Sequence, residues 1–193
     1  HFTPSKIIEL GSGFSTLVTA QAAKLKGCTE MVAIEPYPSD ILKQGVPGLS
    51  KLIPARAQEI ELDYFDQLGP NDILFVDTVH AVKTGGDVNY LFLEVFPRLR
   101  PGVIVHIHDI FLPYEYPKIW LRTRKVFWSE QYLLHAFLIC NREFEVLFGS
   151  HYMTSKYQEL ARATFPEVPN GWQGGSFWMR RKLEEPNAED RHN

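Results

Sequence analysis

The stretch from Ile7 to Thr16, IIELGSGFST, limits what this chain can fold into more than any other. An apolar run ends in an acid and a Gly-x-Gly, then passes straight into apolar residues at helical spacing (Leu17, Val18, Ala20, Ala22, Ala23, Leu25). That pattern predicts a strand over Ser5 to Leu10, a tight turn, and a helix over Ser15 to Lys26. Glycines there let the backbone turn sharply and aim its N–H groups at a ligand on the helix start. A short apolar strand, Met31 to Glu35, completes a βαβ unit.

The alternation continues. A brief strand at Leu52-Ile53 precedes a weak helix near Tyr64 to Leu68. The strand Asp72 to Asp77, a helix from about Asp87 to Leu99 and the strand Val103 to His108 follow. Strands that read as continuous apolar runs between helices indicate an α/β fold with a parallel sheet covered by helices on both faces. Beyond Asp109 the texture changes: Phe111 to Trp128 is rich in aromatics, Pro and Arg, and predicts an insertion or lid over about residues 110–129. A helix over Glu130 to Cys140, a strand over Phe144 to Ser150, a helix around Ser155 to Ala163 and a strand over Gly175 to Arg181 close the chain. At 193 residues and 45% hydrophobic, the expectation is a single domain over residues 1–183 with a disordered tail at 184–193.

A net charge of −3 gives no electrostatic footprint for nucleic acid. Cys28 and Cys140 lack ligand spacing, and no apolar run suits a membrane span, so a soluble, cytoplasmic protein is expected. The first residue is His1, close to the first strand, which suggests an excised fragment.

Gly11 and Gly13 are either plain turn glycines or the base of a cofactor site, and Glu35 is either a helix cap or an acceptor for ribose hydroxyls. Together they point to an adenosine-containing cofactor. A dinucleotide fingerprint would place a third glycine where this chain has Thr16, which argues against NAD. Glu9 sits awkwardly beside a pyrophosphate but suits a cationic ligand with a sulfonium and an α-amino group, favouring S-adenosylmethionine. Glu9, Gly11, Gly13, Ser15 and Glu35 are the candidate cofactor residues.

On these residues the chain resembles the class I S-adenosylmethionine-dependent methyltransferases. Their first motif matches ELGSG at 9–13, their acid after strand two matches Glu35, and their strand-four acid matches Asp77. LRPGVIVHIHD at 99–109 resembles the family's fifth strand, and EVLFGSHYM with GGSFWMRRK resembles its closing pair. The resemblance implies a Rossmann-like seven-stranded sheet of order 3-2-1-4-5-7-6 with the last strand antiparallel. It also places Gln58 near the adenine.

Chemistry should gather at the carboxyl ends of strands four and five, where open α/β sheets bind ligands. Asp77-Thr78-Val79-His80 ends one strand and His108-Asp109 the other. Asp77, His108 and Asp109 are a candidate divalent-metal set, and Asp77 and His80 are the candidate catalytic residues, His80 as general base. This arrangement is similar to the metal-dependent small-molecule O-methyltransferases, including those acting on macrolide sugars, where a D-x-x-H after strand four supplies a ligand and the base. Their strand-five acidic pair is here His108-Asp109, so magnesium, a softer metal such as manganese, or no metal all stay open. His106 is either a metal partner of His108 or a buried structural imidazole.

Tyr114, Tyr116, Trp120 and Trp128 suit a pocket wall, with Arg122, Arg124 and Lys125 meeting an anionic group; the alternative is a helix packed on the domain or on a second subunit of a homo-oligomer. Trp172 and Trp178 suit core or interface. The expected function is O-methylation of a small-molecule or glycosylated substrate, with or without assistance from a divalent metal. An NAD-dependent oxidoreductase, a non-catalytic binding module and a metal hydrolase are the alternatives.

Overall fold

The computed structural model describes residues 1–167 and 174–183. Its strands are β1 (Lys6–Leu10), β2 (Glu30–Ile34), β3 (Lys51–Ile53), β4 (Ile73–Val76), β5 (Ile104–Ile107), β6 (Phe144–Gly149) and β7 (Phe177–Arg181). They form one seven-stranded sheet of order β3-β2-β1-β4-β5-β7-β6. β1 to β5 are parallel to one another where paired, and β7 is antiparallel to both β5 and β6. The sheet order and the antiparallel last strand agree with the expectation.

Alternation along β1 divides the core. Ile8 and Leu10 face one side and pack with Val32, Leu74, Val105 and the aromatic pair Phe92 and Phe96. Ile7 faces the other side and packs with Met31 and with Ala20 and Ala23 of α1 (Phe14–Lys26). Thr16, Ala20 and Ala23, the buried residues of α1, recur at helical spacing, and their small side chains let the helix lie close on the strands. Gly27, left-handed at φ 73°, ends α1 by donating its N–H to the Ala23 carbonyl.

α2 (Asp40–Lys43) and 3₁₀ turns at Ala57–Glu59 and Leu62–Gln67 flank β3; the second takes the place of the expected weak helix. The expected helix 87–99 is a continuous helical rod in three parts: α3 (Asp87–Tyr90), a π-helical turn Leu91–Val95, and α4 (Phe96–Arg98). Pro97 has no N–H to donate, and the helix ends just beyond it. After β5, residues 111–129 carry a π-helical turn, Trp120–Arg124, before α5 (Glu130–Leu138). The helix expected around 155–163 is two pieces, α6 (Ser150–Lys156) and α7 (Gln158–Thr164). Trp172 and the expected tail 184–193 lie outside the described residues. No helix among the described residues is long and apolar enough to cross a membrane.

One buried acid fixes the sheet's other end. Asp72 accepts hydrogen bonds from the N–H groups of Ser5, Lys6 and Gly69 and from the Ser5 hydroxyl, tying the start of β1 to the start of β4. The two central strands are thereby held in register, and their carboxyl ends arrive side by side.

Candidate active site

A cleft of about 510 Å³ opens at those carboxyl ends, with Gly11, Glu35, Gln58, Asp77, Lys83 and Asp87 among its walls. A larger cavity, about 960 Å³, lies beside α1, but its walls, mostly apolar residues such as Phe2, Ile7, Ile73, Leu147 and Trp178 together with Lys26 and Arg180, hold none of these acids. The candidate residues gather at the smaller one.

The glycine-rich turn is built by contacts that reach across the sheet. Gly11 donates its N–H to the Ile34 carbonyl of β2, and it takes φ +84°. A Cβ placed there would stand 1.8 Å from the Asp77 carbonyl oxygen, so only glycine allows the turn to lie against the end of β4. Glu35 closes the turn from the side: one carboxylate oxygen accepts the Ser12 N–H (3.1 Å) and the other the Tyr37 N–H (2.8 Å). Each of those oxygens keeps a lone pair for a further donor such as a ribose hydroxyl. Gln58 reaches the opposite wall, its side-chain amide donating to the Gly85 carbonyl at 3.3 Å.

Beneath the turn, Glu9 is 0% exposed. One of its oxygens accepts the Ser15 hydroxyl at 2.7 Å, and the other is buried with no partner. Burial pushes its pKa from the ordinary 4.5 up to about 7, although the hydroxyls of Ser15 and Thr16 pull the other way. Such a carboxyl is poised for a cationic donor. Thr16, in the place of a third glycine, accepts the Gly13 N–H on its hydroxyl at 3.0 Å. The amide that a pyrophosphate would need is thus satisfied internally.

At the end of β4, Asp77 and His80 meet: the Asp77 Oδ1 and His80 Nε2 are 3.2 Å apart. His80 is 3% exposed, left-handed at φ 54°, and its Nδ1 lies 2.7 Å from the Glu130 carboxylate of α5. Burial alone would lower the His80 pKa, but hydrogen bonds and charge from Asp77 and Glu130 reverse this and raise it from 6.5 to about 9. At neutral pH His80 therefore carries a proton and is not a free base. Burial likewise works to raise Asp77, yet the hydrogen bond and charge of His80, with His108 nearby, hold it below the ordinary carboxylate range. Asp77 stays ionised.

Asp109, also left-handed at φ 56°, ends β5 next to His108, and burial raises its pKa. Among the described residues no three His, Cys, Asp or Glu side chains come together as a metal cage. Asp77, His108 and Asp109 share one end of the sheet, at the ends of β4 and β5. His106 lies between Phe75 (4.2 Å between ring centroids) and Trp178 (4.5 Å), with burial pushing its pKa down to about 3. It is a neutral structural imidazole.

The segment after β5 leans on this site. Trp128 packs on the His80 ring at 4.3 Å, Trp120 meets Trp128 at 4.9 Å, and Tyr116 is buried with its hydroxyl accepting the Gln131 N–H. Tyr114 is partly exposed, and Arg122, Arg124 and Lys125 lie in solvent. Glu130 escaped the sequence reading altogether. It stands 50 residues from His80 and looks like an ordinary acid in the first turn of a helix, a favoured position in any helix.

A family model for a methyltransferase domain matches residues 8–110, more than half of the chain. An uncharacterized protein of Archaeoglobus fulgidus is 38% identical over 77 residues, a match spanning 38% of this chain and only 35% of that protein. Among solved structures, a candidate methyltransferase of Thermobifida fusca is 18% identical with a TM-score of 0.59, covering 95% of this chain and 75% of its own. The plantazolicin methyltransferase BpumL, solved with S-adenosylhomocysteine (SAH), is 11% identical with a TM-score of 0.58, covering 93% of this chain and 77% of its own. These two structures share the fold of this chain.

Proposed function

The chain belongs to the methyltransferase-domain family, and from that premise we propose that it transfers the methyl group of S-adenosylmethionine to an oxygen of a small-molecule or glycosylated acceptor. The observation that carries the reading is Glu9: a buried carboxyl with an unpartnered oxygen, directly under the turn that borders the cleft. An acid in that state is costly unless a cationic ligand completes it, and the amino-acid end of S-adenosylmethionine carries both an ammonium and a sulfonium. Glu35 then takes the ribose hydroxyls and Gln58 lies toward the base, with Gly11, Gly13 and Ser15 forming the turn around the methionine end.

Asp77 is the catalytic residue in this reading. It is ionised and lines the cleft, where it can accept the hydrogen of the acceptor hydroxyl and orient an oxygen lone pair toward the methyl carbon. As the new C–O bond forms and the S–C bond breaks, the acceptor becomes an oxonium, a strong acid, so even a weakly basic carboxylate such as Asp77 suffices to take its proton. The chain's modest negative charge supports a small acceptor over nucleic acid.

Calorimetry with S-adenosylmethionine and with SAH tests the reading first, and mass-spectrometric detection of methyl transfer to a panel of hydroxylated acceptors tests it second. The expected result is one-to-one binding of both ligands and a gain of one methyl group on an oxygen. Binding of NADH in place of either ligand, or no binding at all, would overturn it; binding with no transfer to any acceptor would favour a non-catalytic module.

A further inference from the structure

α5 begins with a knot of contacts that the chemistry above does not use. Glu130 is 0% exposed, an unusual setting for an acid. Its Oε2 lies 2.7 Å from the His80 Nδ1, while its other oxygen is buried without a partner. The N–H groups of Ser129 and Glu130 both donate to the His80 carbonyl, at 2.9 and 3.1 Å, and the Ser129 hydroxyl accepts the Val82 N–H at 2.9 Å. Trp128 covers the ring face. His80 is thus gripped through its backbone, its ring face and one ring nitrogen by three consecutive residues.

We propose that Glu130 is a positioning residue for the transfer step: it anchors the Nδ1 side of His80 so that Nε2 holds Asp77 in the orientation that receives the acceptor's hydrogen. A protonated imidazole with only one partner can turn about its own axis, whereas a carboxylate on Nδ1 opposite Asp77 on Nε2 fixes the ring from both sides. Burying an acid for this purpose is costly, and only a paired, hydrogen-bonded acid is tolerated there. The groups facing His80 are Asp77 from the end of β4 and Glu130 from α5, with Asp109 and His108 beyond them at the end of β5 and Asp87 of α3 acting on Glu130.

The same helical turn also holds the segment after β5. Gln131 accepts the Phe111 N–H and donates to the Tyr114 carbonyl, and its own N–H is taken by the Tyr116 hydroxyl. The start of α5 therefore joins the β4 end, which carries Asp77, to the aromatic segment beside it. Displacing Glu130 would disturb the aim of Asp77 without touching the cofactor residues.

This inference rests on the methyltransferase reading, and its test separates the two. Proton–nitrogen spectra of histidine-labelled wild-type protein with SAH should show His80 with hydrogen on Nδ1 and a strongly downfield Nδ1–H signal, assigned by its absence in His80→Gln. In Glu130→Gln the downfield signal should be lost, and in Glu130→Asp partly restored, while SAH affinity by calorimetry stays within about twofold of wild type. With the acceptor found by the methyl-transfer panel, Glu130→Gln should lower kcat about tenfold or more and leave KM for S-adenosylmethionine unchanged. A wild-type spectrum with no hydrogen on Nδ1 overturns the proposal whether or not the variants fold. An unchanged signal or kcat in Glu130→Gln overturns it too. Failure to bind SAH with the His80 signal intact would instead refute the methyltransferase reading.

Discussion

Glu9→Gln sets stability against ligand binding. Above neutral pH the wild-type chain folds only by burying an ionised Glu9, whose pKa rises from 4.5 to about 7. At about 1.4 kcal/mol per pH unit, that rise corresponds to ~3 kcal/mol of destabilisation once the group is fully ionised. The folded state holds the proton more tightly than the unfolded chain, so this cost is absent well below pH 4.5, grows between 4.5 and about 7, and is constant above. Glutamine has nearly the same shape, carries no charge and still accepts the Ser15 hydroxyl, although exchanging a charged acceptor for a neutral one gives back roughly 1 kcal/mol. The variant should therefore be about 2 kcal/mol more stable than wild type near pH 8, a rise of about 4 to 8 °C in Tm for a chain of this size. Near pH 4 the advantage should vanish. Melting curves of both proteins without ligand, across that range, measure the difference, and calorimetry near pH 8 should find S-adenosylmethionine bound about tenfold or more weakly by the variant. A Tm difference that is the same at every pH, or a glutamine variant that is less stable at alkaline pH, would refute the assignment of a strained carboxyl at this position.

Gly11→Ala should lower Tm by about 6 °C or more and abolish SAH binding, because its Cβ would meet the Asp77 carbonyl at 1.8 Å and its φ is +84°; wild-type melting and binding would contradict the tight contact. Glu35→Ala removes the acceptor of two backbone N–H groups as well as the proposed ribose contact, and calorimetry should show SAH binding weakened about a hundredfold. A loss below about threefold would mean that the ribose is held elsewhere. His80 has a raised pKa, so its contribution to stability is complete below pH 6.5 and is lost as pH rises through about 9. The Tm gap between wild type and His80→Gln should accordingly narrow from neutral to alkaline pH, in a window above that of Glu9, and a gap that does not narrow would show that His80 is neutral in the folded protein.

Local pattern carried the βαβ start well. The strand, turn and α1 follow from apolar spacing and two glycines, and Thr16 in the third position already spoke against a pyrophosphate. The sheet order came from the resemblance, since pairing of β5 with β7 before β6 leaves no mark in periodicity. Helix boundaries were less legible where backbone geometry departs from the regular helix, as at the π-helical turn Leu91–Val95 and the break between Lys156 and Gln158. At the site, Asp77 and His80 could be picked out because an acid and an imidazole closing an apolar strand invite a reason. Their protonation states could not be read, because they depend on Glu130, which reaches His80 from a separate helix. The same holds for the hydroxyl of Thr16, whose bond to Gly13 depends on the helix starting where it does.

The contact of Gly11 with the Asp77 carbonyl bears on redesign of the cleft. Between the glycine turn and the end of β4 the two backbones meet directly, with no side chain to trim. Substitution can neither thin nor widen that contact. Under the proposed function, a cofactor analogue with a larger alkyl group on sulfur would have to be accommodated by shaving side chains on the far walls, because any push on the backbone at Asp77 would be felt at once by the glycine turn.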